Sequence, residues 1–228
     1  MKKAIIFDFN GTMFFDEDKH VISWRVFAKK EFGVDIKDED FPLHIHGFSN
    51  KEILKFLSGR EFSNEEVKEY ATRKELYYQQ ICEEDKDTLH LVKGLEEFLF
   101  LLKEKGVRIA ICTASMKPNV DWYIKTFNLH RFFLDDEIIY DDGTLRKGKP
   151  DPEIYLRALN KLGIEGKDAI VFEDALSGIT SSYRAGVDTI FALEPEERFE
   201  KVMKMPGVKK AIPDYCGIEK DVLPMLGL

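Results

Sequence analysis

Polar side chains that could bind phosphate or a metal ion follow short apolar runs of this sequence. The first run leads into Asp8 within the stretch "FDFNGT", which turns through Gly11. A carboxylate at the end of a strand can bind a metal ion or attack phosphorus as a nucleophile. Enzymes that use such a carboxylate often need a second carboxyl group nearby to move protons. At Asn10, two residues after Asp8, the chain carries an amide instead.

The other candidate groups are distributed along the chain in the same way. Thr113 follows the second apolar run, Glu173 and Asp174 follow the third, and Lys149 lies between these two places. Each group alone is more often a cap at the end of a strand than a functional residue. Because ligands of open α/β folds bind at the carboxyl ends of the strands, the groups together predict one site.

Four short apolar runs predict the strands that position these groups: Ala4 to Phe7, Ile109 to Cys112, Ala169 to Phe172 and Thr189 to Leu193. None of them alternates polar with apolar residues, a pattern typical of strands buried on both faces of a parallel sheet. Helical patterns lie between the runs, and one of them begins at Asp151 as N-cap and stops at Gly163. The alternation predicts an α/β fold with a Rossmann-like, doubly wound parallel sheet.

Residues 15–88 have a different pattern, with no convincing strand and at least three helical stretches. Two of these begin with capping boxes, Ser49-x-x-Glu52 and Ser63-x-x-Glu66. We therefore expect a Rossmann-like core formed by residues 1–14 and 89–228, and a helical cap formed by residues 15–88. Because the insertion begins just after Asp8, it is predicted to be a lid over the site.

Composition excludes several classes of function. The chain has 228 residues, 44% hydrophobic and 33% charged, which is typical of a soluble globular protein with one main core. A net charge of -8 argues against a broad nucleic-acid or anionic-membrane surface. The three cysteines lack metal-ligand spacing and are predicted to be reduced thiols in a cytoplasm. The apolar stretch before Asp8 is too short for a signal peptide or a membrane span.

Taken in order, the candidate groups resemble the motifs of the haloacid dehalogenase-like (HAD) superfamily of aspartyl-phosphate enzymes. The first motif of that family is Asp-x-Asp-Gly-Thr/Val, and this chain has "DFNGT" at residues 8–12. The second is a Ser or Thr at a strand end, here Thr113 in "ICTAS", and the third is Lys149 in "KGKPDPEIY". The fourth is an acidic pair, here Glu173 and Asp174 in "FEDALSG". Because order and spacing match over essentially the whole chain, the sequence is identified as a member of this superfamily.

The resemblance implies a role for each of these residues. Asp8 would attack phosphorus and form an aspartyl phosphate. The implied ligands of a Mg²⁺ cofactor are oxygens of Asp8 and Asp174 and the backbone carbonyl of Asn10, with Glu173 near the water shell of the metal. Thr113, Ala114 and Lys149 would bind the phosphoryl oxygens and stabilise the transferring group.

The helical insertion resembles the cap of the β-phosphoglucomutase-like subgroup of this superfamily. His20 and Trp24 occupy places where that subgroup often has His and Trp. The stretch "HGFSNKE" looks like the substrate loop of the mutase, which commonly has Lys-Gly-x-x-Arg before an acidic residue. Here His46 and Gly47 begin the loop and Asn50 replaces the Arg, which normally binds the second phosphate of a bisphosphate. His20, His46, Gly47 and Asn50 are thus the candidate substrate residues of the cap.

Asn10 is the departure from the family pattern, because the family's phosphatases and mutases use an Asp there as general acid and base. An amide can do neither, and loss of such a group typically costs about 10² to 10⁴ in rate. Four explanations remain open. In the first, the enzyme is slow, or it acts on substrates such as acyl phosphates, whose leaving groups need little protonation. In the second, it is phosphonatase-like, with Lys51 or Lys55 forming a Schiff base. In the third it is a binding module without turnover, and in the fourth Asn10 was introduced to trap a complex.

The function expected from the sequence is that of a Mg²⁺-dependent hydrolase. Its substrate would be a small phosphorylated metabolite such as a sugar phosphate, which it would hydrolyse through an aspartyl phosphate formed on Asp8. A sugar-phosphate mutase is the alternative within enzymes, and a metal- and phosphate-binding regulatory protein is the alternative from another class. The chain is expected to be a cytoplasmic monomer that binds neither nucleic acid nor membranes.

Overall fold

A computed structural model describes residues 1–45 and 48–228, so the predicted cap residues His46 and Gly47 lie outside the described residues. By its internal contacts the chain divides into two units. One, the core unit, consists of Met1–Phe15 and His90–Leu228, and the other, the helical unit, is Asp16–Leu89. The role of the helical unit as a lid stays a prediction.

A parallel sheet forms the centre of the core unit. Within the described residues it has six strands: β1 (Ala4–Phe7), β2 (Arg108–Met116), β3 (Ile138–Asp141), β4 (Ala169–Glu173), β5 (Ile190–Leu193) and β6 (Val208–Ile212). Their order is β3-β2-β1-β4-β5-β6, and every neighbouring pair is parallel. The sheet confirms the predicted α/β fold, since the chain begins in the middle and extends toward each edge through crossovers.

The register of the central strands sets the position of the candidate site. Phe7, the last residue of β1, pairs with Ile111 of β2 and with Phe172 of β4. Phe7, Ile111 and Phe172 therefore lie at the same level of the sheet, where β1 and β4 approach their carboxyl ends. The residues that follow Phe7, Ile111 and Phe172 are brought together at this edge, as the pattern of apolar runs predicts.

Three of the four predicted strands differ from the observed ones by a few residues. β2 does not end before Thr113 but continues to Met116, with an irregular register against β3 between Cys112 and Met116. β4 includes Glu173, and β5 begins at Ile190 rather than Thr189. The edge strands β3 and β6 were not predicted, because β3 is short and ends in Asp141, and because two lysines interrupt the apolar pattern of β6, as is common at sheet edges.

In the core unit, helices connect the strands and cover both faces of the sheet. Numbered along the described residues of both units, the helices are α1 (Glu17–Phe32), α2 (Asn50–Ser58) and α3 (Asn64–Glu84) in the helical unit, and α4 (Leu95–Glu104), α5 (Lys117–Thr126), α6 (Glu153–Leu162), α7 (Leu176–Arg184), α8 (Phe199–Val202) and α9 (Glu219–Leu226) in the core unit. Ile6 packs with Ile154 of α6 and Ile179 of α7 on one face. On the other face Phe7 stacks on Phe172 at 5.1 Å between ring centroids and contacts Phe98 of α4. Alternate residues of one strand thus belong to opposite layers of the core.

Helix α6 follows Lys149 and begins one residue later than the sequence predicts. Pro152 is its N-cap, and the carboxylate of Asp151 accepts the backbone N–H of Glu153 at 3.1 Å. The predicted stop is confirmed, since Gly163 ends the helix with a φ of 61°. Ile154 and Tyr155 are buried, so the first turn of α6 is anchored in the core beside the loop that carries Lys149.

The helical unit has a hydrophobic core of its own. Helices α2 and α3 begin with the two predicted capping boxes, in which Ser49 pairs with Glu52 and Ser63 with Glu66. A short π-helical segment, Phe41–Ile45, lies between α1 and α2. The core of this unit comes mainly from α1, α2 and this segment: Trp24, Phe27, Ala28, Ile36, Phe41, Ile45, Ile53, Leu54, Leu57 and Phe62. None of the helices in the described ranges combines the length and apolar character that a membrane span needs.

Candidate active site

Asp8 and Lys149 form the centre of the polar cluster at the carboxyl edge of the sheet. The side chain of Asp8 is buried, with the residue 6% exposed, and its Oδ1 accepts from Lys149 Nζ at 2.6 Å. Lys149 Nζ also donates to Oε1 of Glu173 at 2.5 Å. Burial by itself would lower the pKa of Lys149, but the negative charges of Asp8 and Glu173 raise this pKa above its usual value. The ammonium group therefore stays charged between two carboxylates.

Glu173 is held by four donors and fixes the position of Lys149. Besides Lys149, its carboxylate accepts from the Tyr155 hydroxyl at 2.9 Å and from the backbone N–H groups of Asp174 and Ala175, both at 3.0 Å. A Cβ at Gly178 would lie 1.7 Å from Oε1 of Glu173, so only glycine leaves room for this carboxylate. Helix α7 thus approaches β4 closely enough to enclose the acid.

Asp174 lies beside the turn that follows Asp8. Its Oδ1 accepts from the Thr12 hydroxyl at 3.1 Å. Gly11 has a φ of +71°, and a Cβ at this residue would lie 2.1 Å from Oδ2 of Asp174. Burial, together with the negative charges of Glu173 and Asp8, raises the pKa of Asp174 well above its usual value. The raised pKa reflects negative charge in the cluster that Lys149 does not fully balance, and a bound positive ion would relieve it.

Thr113 and Ala114 lie in the irregular part of β2 at the same edge. Thr113 is buried, and its hydroxyl oxygen accepts the backbone N–H of Ser115 at 3.1 Å. Ala114 is exposed to solvent. The interruption of regular pairing between Cys112 and Met116 frees this stretch from the straight path of the strand. A hydroxyl and an exposed stretch of backbone are the groups that bind phosphate oxygens in many proteins.

Asn10 is bound through its side chain to two residues that the sequence did not single out. Ser115 Oγ donates to Oδ1 of Asn10 at 2.8 Å, and Nδ2 of Asn10 donates to the Tyr123 hydroxyl at 2.8 Å. The ring of Tyr123 in turn stacks on Phe9 at 4.1 Å between centroids. The amide thus has a fixed orientation within the core unit.

The cap candidates lie in the helical unit. His20 belongs to α1, where its Nδ1 is 3.0 Å from Nζ of the buried Lys74 and its Nε2 is 3.2 Å from Oδ2 of Asp16. The imidazole ring stacks on the ring of Tyr78 at 4.3 Å between centroids. Asn50 is the first residue of α2. Asp16 is the N-cap of α1, but its buried carboxylate accepts the Tyr78 hydroxyl at 2.5 Å rather than capping the helix.

The two lysines considered for a Schiff base do not have the surroundings of a nucleophilic amine. Lys51 is exposed, and Lys55 is exposed and hydrogen-bonded to Glu61. The carboxylate of Glu61 raises the pKa of Lys55. A Schiff-base lysine needs a lowered pKa, which burial or a neighbouring cation supplies. The structure therefore does not favour the phosphonatase-like explanation at these positions.

Several residues of the cluster could be found only from the structure. Tyr155 lies in the stretch "KGKPDPEIY" and Gly178 in "FEDALSG". The sequence does not show that the Tyr155 hydroxyl donates to Glu173 or that Gly178 leaves room for its carboxylate. For Ser115 and Tyr123, the sequence gives no indication of a role in the site beyond their nearness to Thr113. The fold and this cluster define an α/β protein with a charged site at the carboxyl ends of its central parallel strands.

The chain belongs to the haloacid dehalogenase-like hydrolase family, because the model of that family matches residues 5–192. This confirms the family that the motifs predict, and with it the expectation that the protein is an enzyme of a hydrolase family. Asp8, Thr113, Lys149 and the pair Glu173 and Asp174 all lie within the matched residues.

Relatives with known names include both mutases and phosphatases. A β-phosphoglucomutase of Bacillus subtilis is 31% identical over 81% of this chain and 80% of its own length. A phosphorylated carbohydrates phosphatase of Thermotoga maritima is 28% identical over 84% of this chain and 85% of its own length. Among solved structures, a family IA, variant 3 HAD hydrolase of Entamoeba histolytica is 32% identical, with a TM-score of 0.89 over the whole of both chains.

Proposed function

We propose that this protein is a Mg²⁺-dependent phosphatase of a small phosphorylated metabolite and that Asp8 is its nucleophile. The observation that carries the proposal is the hydrogen bond of 2.6 Å between Lys149 and Oδ1 of Asp8. It places a positive charge against the carboxylate of Asp8, which favours the ionised form, and it fixes one oxygen for attack on phosphorus. The same ammonium group can stabilise the negative charge of a phosphoryl group that approaches Asp8.

Binding of the phosphoryl group would use the edge of β2 together with Lys149. The hydroxyl of Thr113 and the backbone of the exposed Ala114 offer donors, and Lys149 offers a positive charge. Such donors are already oriented by the protein, so little reorganisation is needed when charge develops in the transition state. Their role is to hold the phosphorus in line with the attacking oxygen of Asp8.

The carboxylates of the cluster fit a hard divalent cation. Glu173 is engaged by four donors, so Asp8, Asp174 and the backbone carbonyl of Asn10 are the oxygens that would hold Mg²⁺. Among the described residues no three acidic, His or Cys side chains form a ready-made metal site, so water and substrate would have to complete the coordination of an ion held by two carboxylates and a carbonyl. When bound, Mg²⁺ neutralises charge on the phosphoryl oxygens. Glu173 would act through Lys149 instead of binding the metal directly.

The assay that tests this proposal is Mg²⁺-dependent release of inorganic phosphate. The wild type, Asp8→Ala and a matched surface variant, Asp168→Ala, would be compared with p-nitrophenyl phosphate and acetyl phosphate. Asp168 forms an ion pair with Lys3 outside the cluster, so its loss controls for the removal of a carboxylate. We expect Asp8→Ala to abolish release and Asp168→Ala to retain it. Release that survives in Asp8→Ala would contradict the proposal.

A sugar-phosphate mutase is the second candidate, favoured by the similarity to the Bacillus subtilis β-phosphoglucomutase. The two activities differ in what they need and what they release. A mutase converts one sugar monophosphate into another and depends on a sugar bisphosphate as primer. A phosphatase releases free phosphate without a primer. Measuring both products with and without glucose 1,6-bisphosphate therefore separates them.

A further inference from the structure

The side chain of Asn10 takes part in a closed ring of hydrogen bonds with Ser115 and Tyr123. Ser115 Oγ donates to Oδ1 of Asn10, and Nδ2 of Asn10 donates to the Tyr123 hydroxyl, both at 2.8 Å. The two hydroxyl oxygens are 3.3 Å apart. Because Ser115 already gives its hydrogen to Asn10, Tyr123 is the donor of this third bond. The ring needs a side chain that both donates and accepts, which an amide does and a carboxylate does not.

The ring matters for catalysis because it leaves the core unit with no acid beside Asp8 that is free to act. The amide of Asn10 cannot release a proton at any relevant pH. Lys149 donates to Asp8 and Glu173, and the carboxylate of Glu173 accepts from four donors. Asp174 is a proposed ligand of Mg²⁺ and must be ionised in that role. The hydroxyl hydrogens of Ser115 and Tyr123 are used within the ring.

We infer that the substrates of this site are acyl phosphates, the mixed anhydrides of a carboxylic acid and phosphoric acid. The inference rests on the proposed function and names its substrate class. A carboxylate leaves as a stable anion, since its conjugate acid has a pKa of about 4. An alkoxide from a sugar is a far stronger base than a carboxylate and needs a proton as it leaves. Absence of the acid costs about 10² to 10⁴ for an alkoxide and little for a carboxylate.

The chemistry of both steps balances without an acid at position 10. In the first, an oxygen of Asp8 forms a bond to phosphorus while the bond between phosphorus and the acyl oxygen breaks. The carboxylate leaves with that electron pair. In the second, water forms a bond to phosphorus, the bond to Asp8 breaks, and the proton of water passes to solvent. Only this second step lacks a base, so phosphorylated Asp8 is expected to accumulate during turnover of an acyl phosphate.

The experiment compares leaving groups between the wild type and Asn10→Asp at one Mg²⁺ concentration. The substrates are acetyl phosphate, p-nitrophenyl phosphate, phenyl phosphate and glycerol phosphate, and the measured quantity is kcat/KM. For each substrate, the ratio of kcat/KM of the variant to kcat/KM of the wild type cancels the intrinsic reactivity of that substrate. We expect Asn10→Asp to raise kcat/KM for glycerol phosphate by about 10² to 10⁴ and for acetyl phosphate by less than about tenfold.

Two further variants sharpen the result. Tyr123→Phe opens the ring but retains the amide, so the decline in kcat/KM from acetyl to glycerol phosphate should stay as steep as in the wild type. Asp8→Ala should remove the turnover of every substrate. An equal gain in kcat/KM for all four substrates in Asn10→Asp would overturn the inference. So would a wild-type protein that turns over glycerol phosphate as well as acetyl phosphate. In either case the proposed function would still stand if turnover depends on Asp8. If neither the wild type nor Asn10→Asp releases phosphate through Asp8, the proposed function fails and the inference fails with it.

Discussion

Replacement of Gly178 by alanine is expected to destabilise the core unit through a single carboxylate. The added Cβ would lie 1.7 Å from Oε1 and 2.3 Å from Oε2 of Glu173. Glu173 cannot move without losing donors, because Lys149, Tyr155 and two backbone N–H groups all hold it in place. The substitution therefore forces at least part of this set of hydrogen bonds to break.

The size of the effect follows from these bonds. A hydrogen bond to a charged group is worth about 1.5–3 kcal/mol, and we expect one or two of the four to be lost. The better helix propensity of alanine returns about 1 kcal/mol, because Gly178 lies within α7. The net loss in free energy of unfolding is then about 3 kcal/mol, a large part of the about 5–15 kcal/mol typical of a domain.

Urea unfolding followed by tryptophan fluorescence can measure this loss. The chain has two tryptophans, Trp122 in α5 of the core unit and Trp24 in the helical unit. With Trp24 replaced by Phe, the signal reports the core unit. Gly178→Ala should lower the midpoint with an unchanged m-value. Gly148→Ala is the matched control, since a Cβ at Gly148 meets no atom within 4 Å.

A double-mutant cycle decides whether Glu173 is the cause. In a Glu173→Ala background the carboxylate that the new Cβ would meet is gone. Gly178→Ala should then be neutral or stabilising by up to about 1 kcal/mol. If Gly178→Ala destabilises the Glu173→Ala protein as much as the wild type, the assignment of Gly178 as the residue that makes room for Glu173 is wrong.

Three further expectations follow from other buried groups. Tyr155→Phe removes one donor from Glu173 and should lower the free energy of unfolding by about 1–3 kcal/mol in the same urea assay, and a loss below about 0.5 kcal/mol would argue against this bond. Asp16→Ala leaves the buried Tyr78 hydroxyl without this acceptor and should cost about 1–3 kcal/mol, measured from Trp24 with Trp122 replaced by Phe. Burial, aided by the charge of Asp16, raises the pKa of Cys82 to about 12, so only the exposed Cys216 should react quickly with a thiol reagent in the native protein. All three cysteines should react after unfolding, and fast native labelling of Cys82 would refute its burial.

The sequence was sufficient to predict the family, the parallel sheet and the residues gathered at its edge. Asp8, Thr113 and Glu173 each follow a strong apolar run, and parallel strands align such positions at one edge. Lys149 lies between two of these runs and was identified from the family motif. The edge strands were missed because they are short and carry charged residues. The role of His20 in substrate binding stays a prediction, as does that of Asn50, and His46 and Gly47 lie outside the described residues.

The division of roles within the site could not be predicted, because it depends on contacts between distant parts of the chain. Asn10 and Tyr123 are 113 residues apart in sequence, and no local pattern links them. Glu173 is expected near the water shell of the metal from the motif, but the approach of α6 and α7 surrounds it with donors. Likewise, the buried position of Lys74 beside His20 results from the packing of α1 against α3. Packing thus decides which of several similar polar groups faces which partner.

The most direct test of the central claim is to detect the phosphorylated form of Asp8. The protein would be mixed with acetyl phosphate and Mg²⁺, quenched in acid and analysed by intact mass spectrometry, with the modified residue located after borohydride reduction and proteolysis. We predict one phosphoryl group per chain, located on Asp8 and absent from Asp8→Ala. A wild-type protein that turns over acetyl phosphate without modification of Asp8, or that carries the phosphoryl group on another residue, would contradict the account.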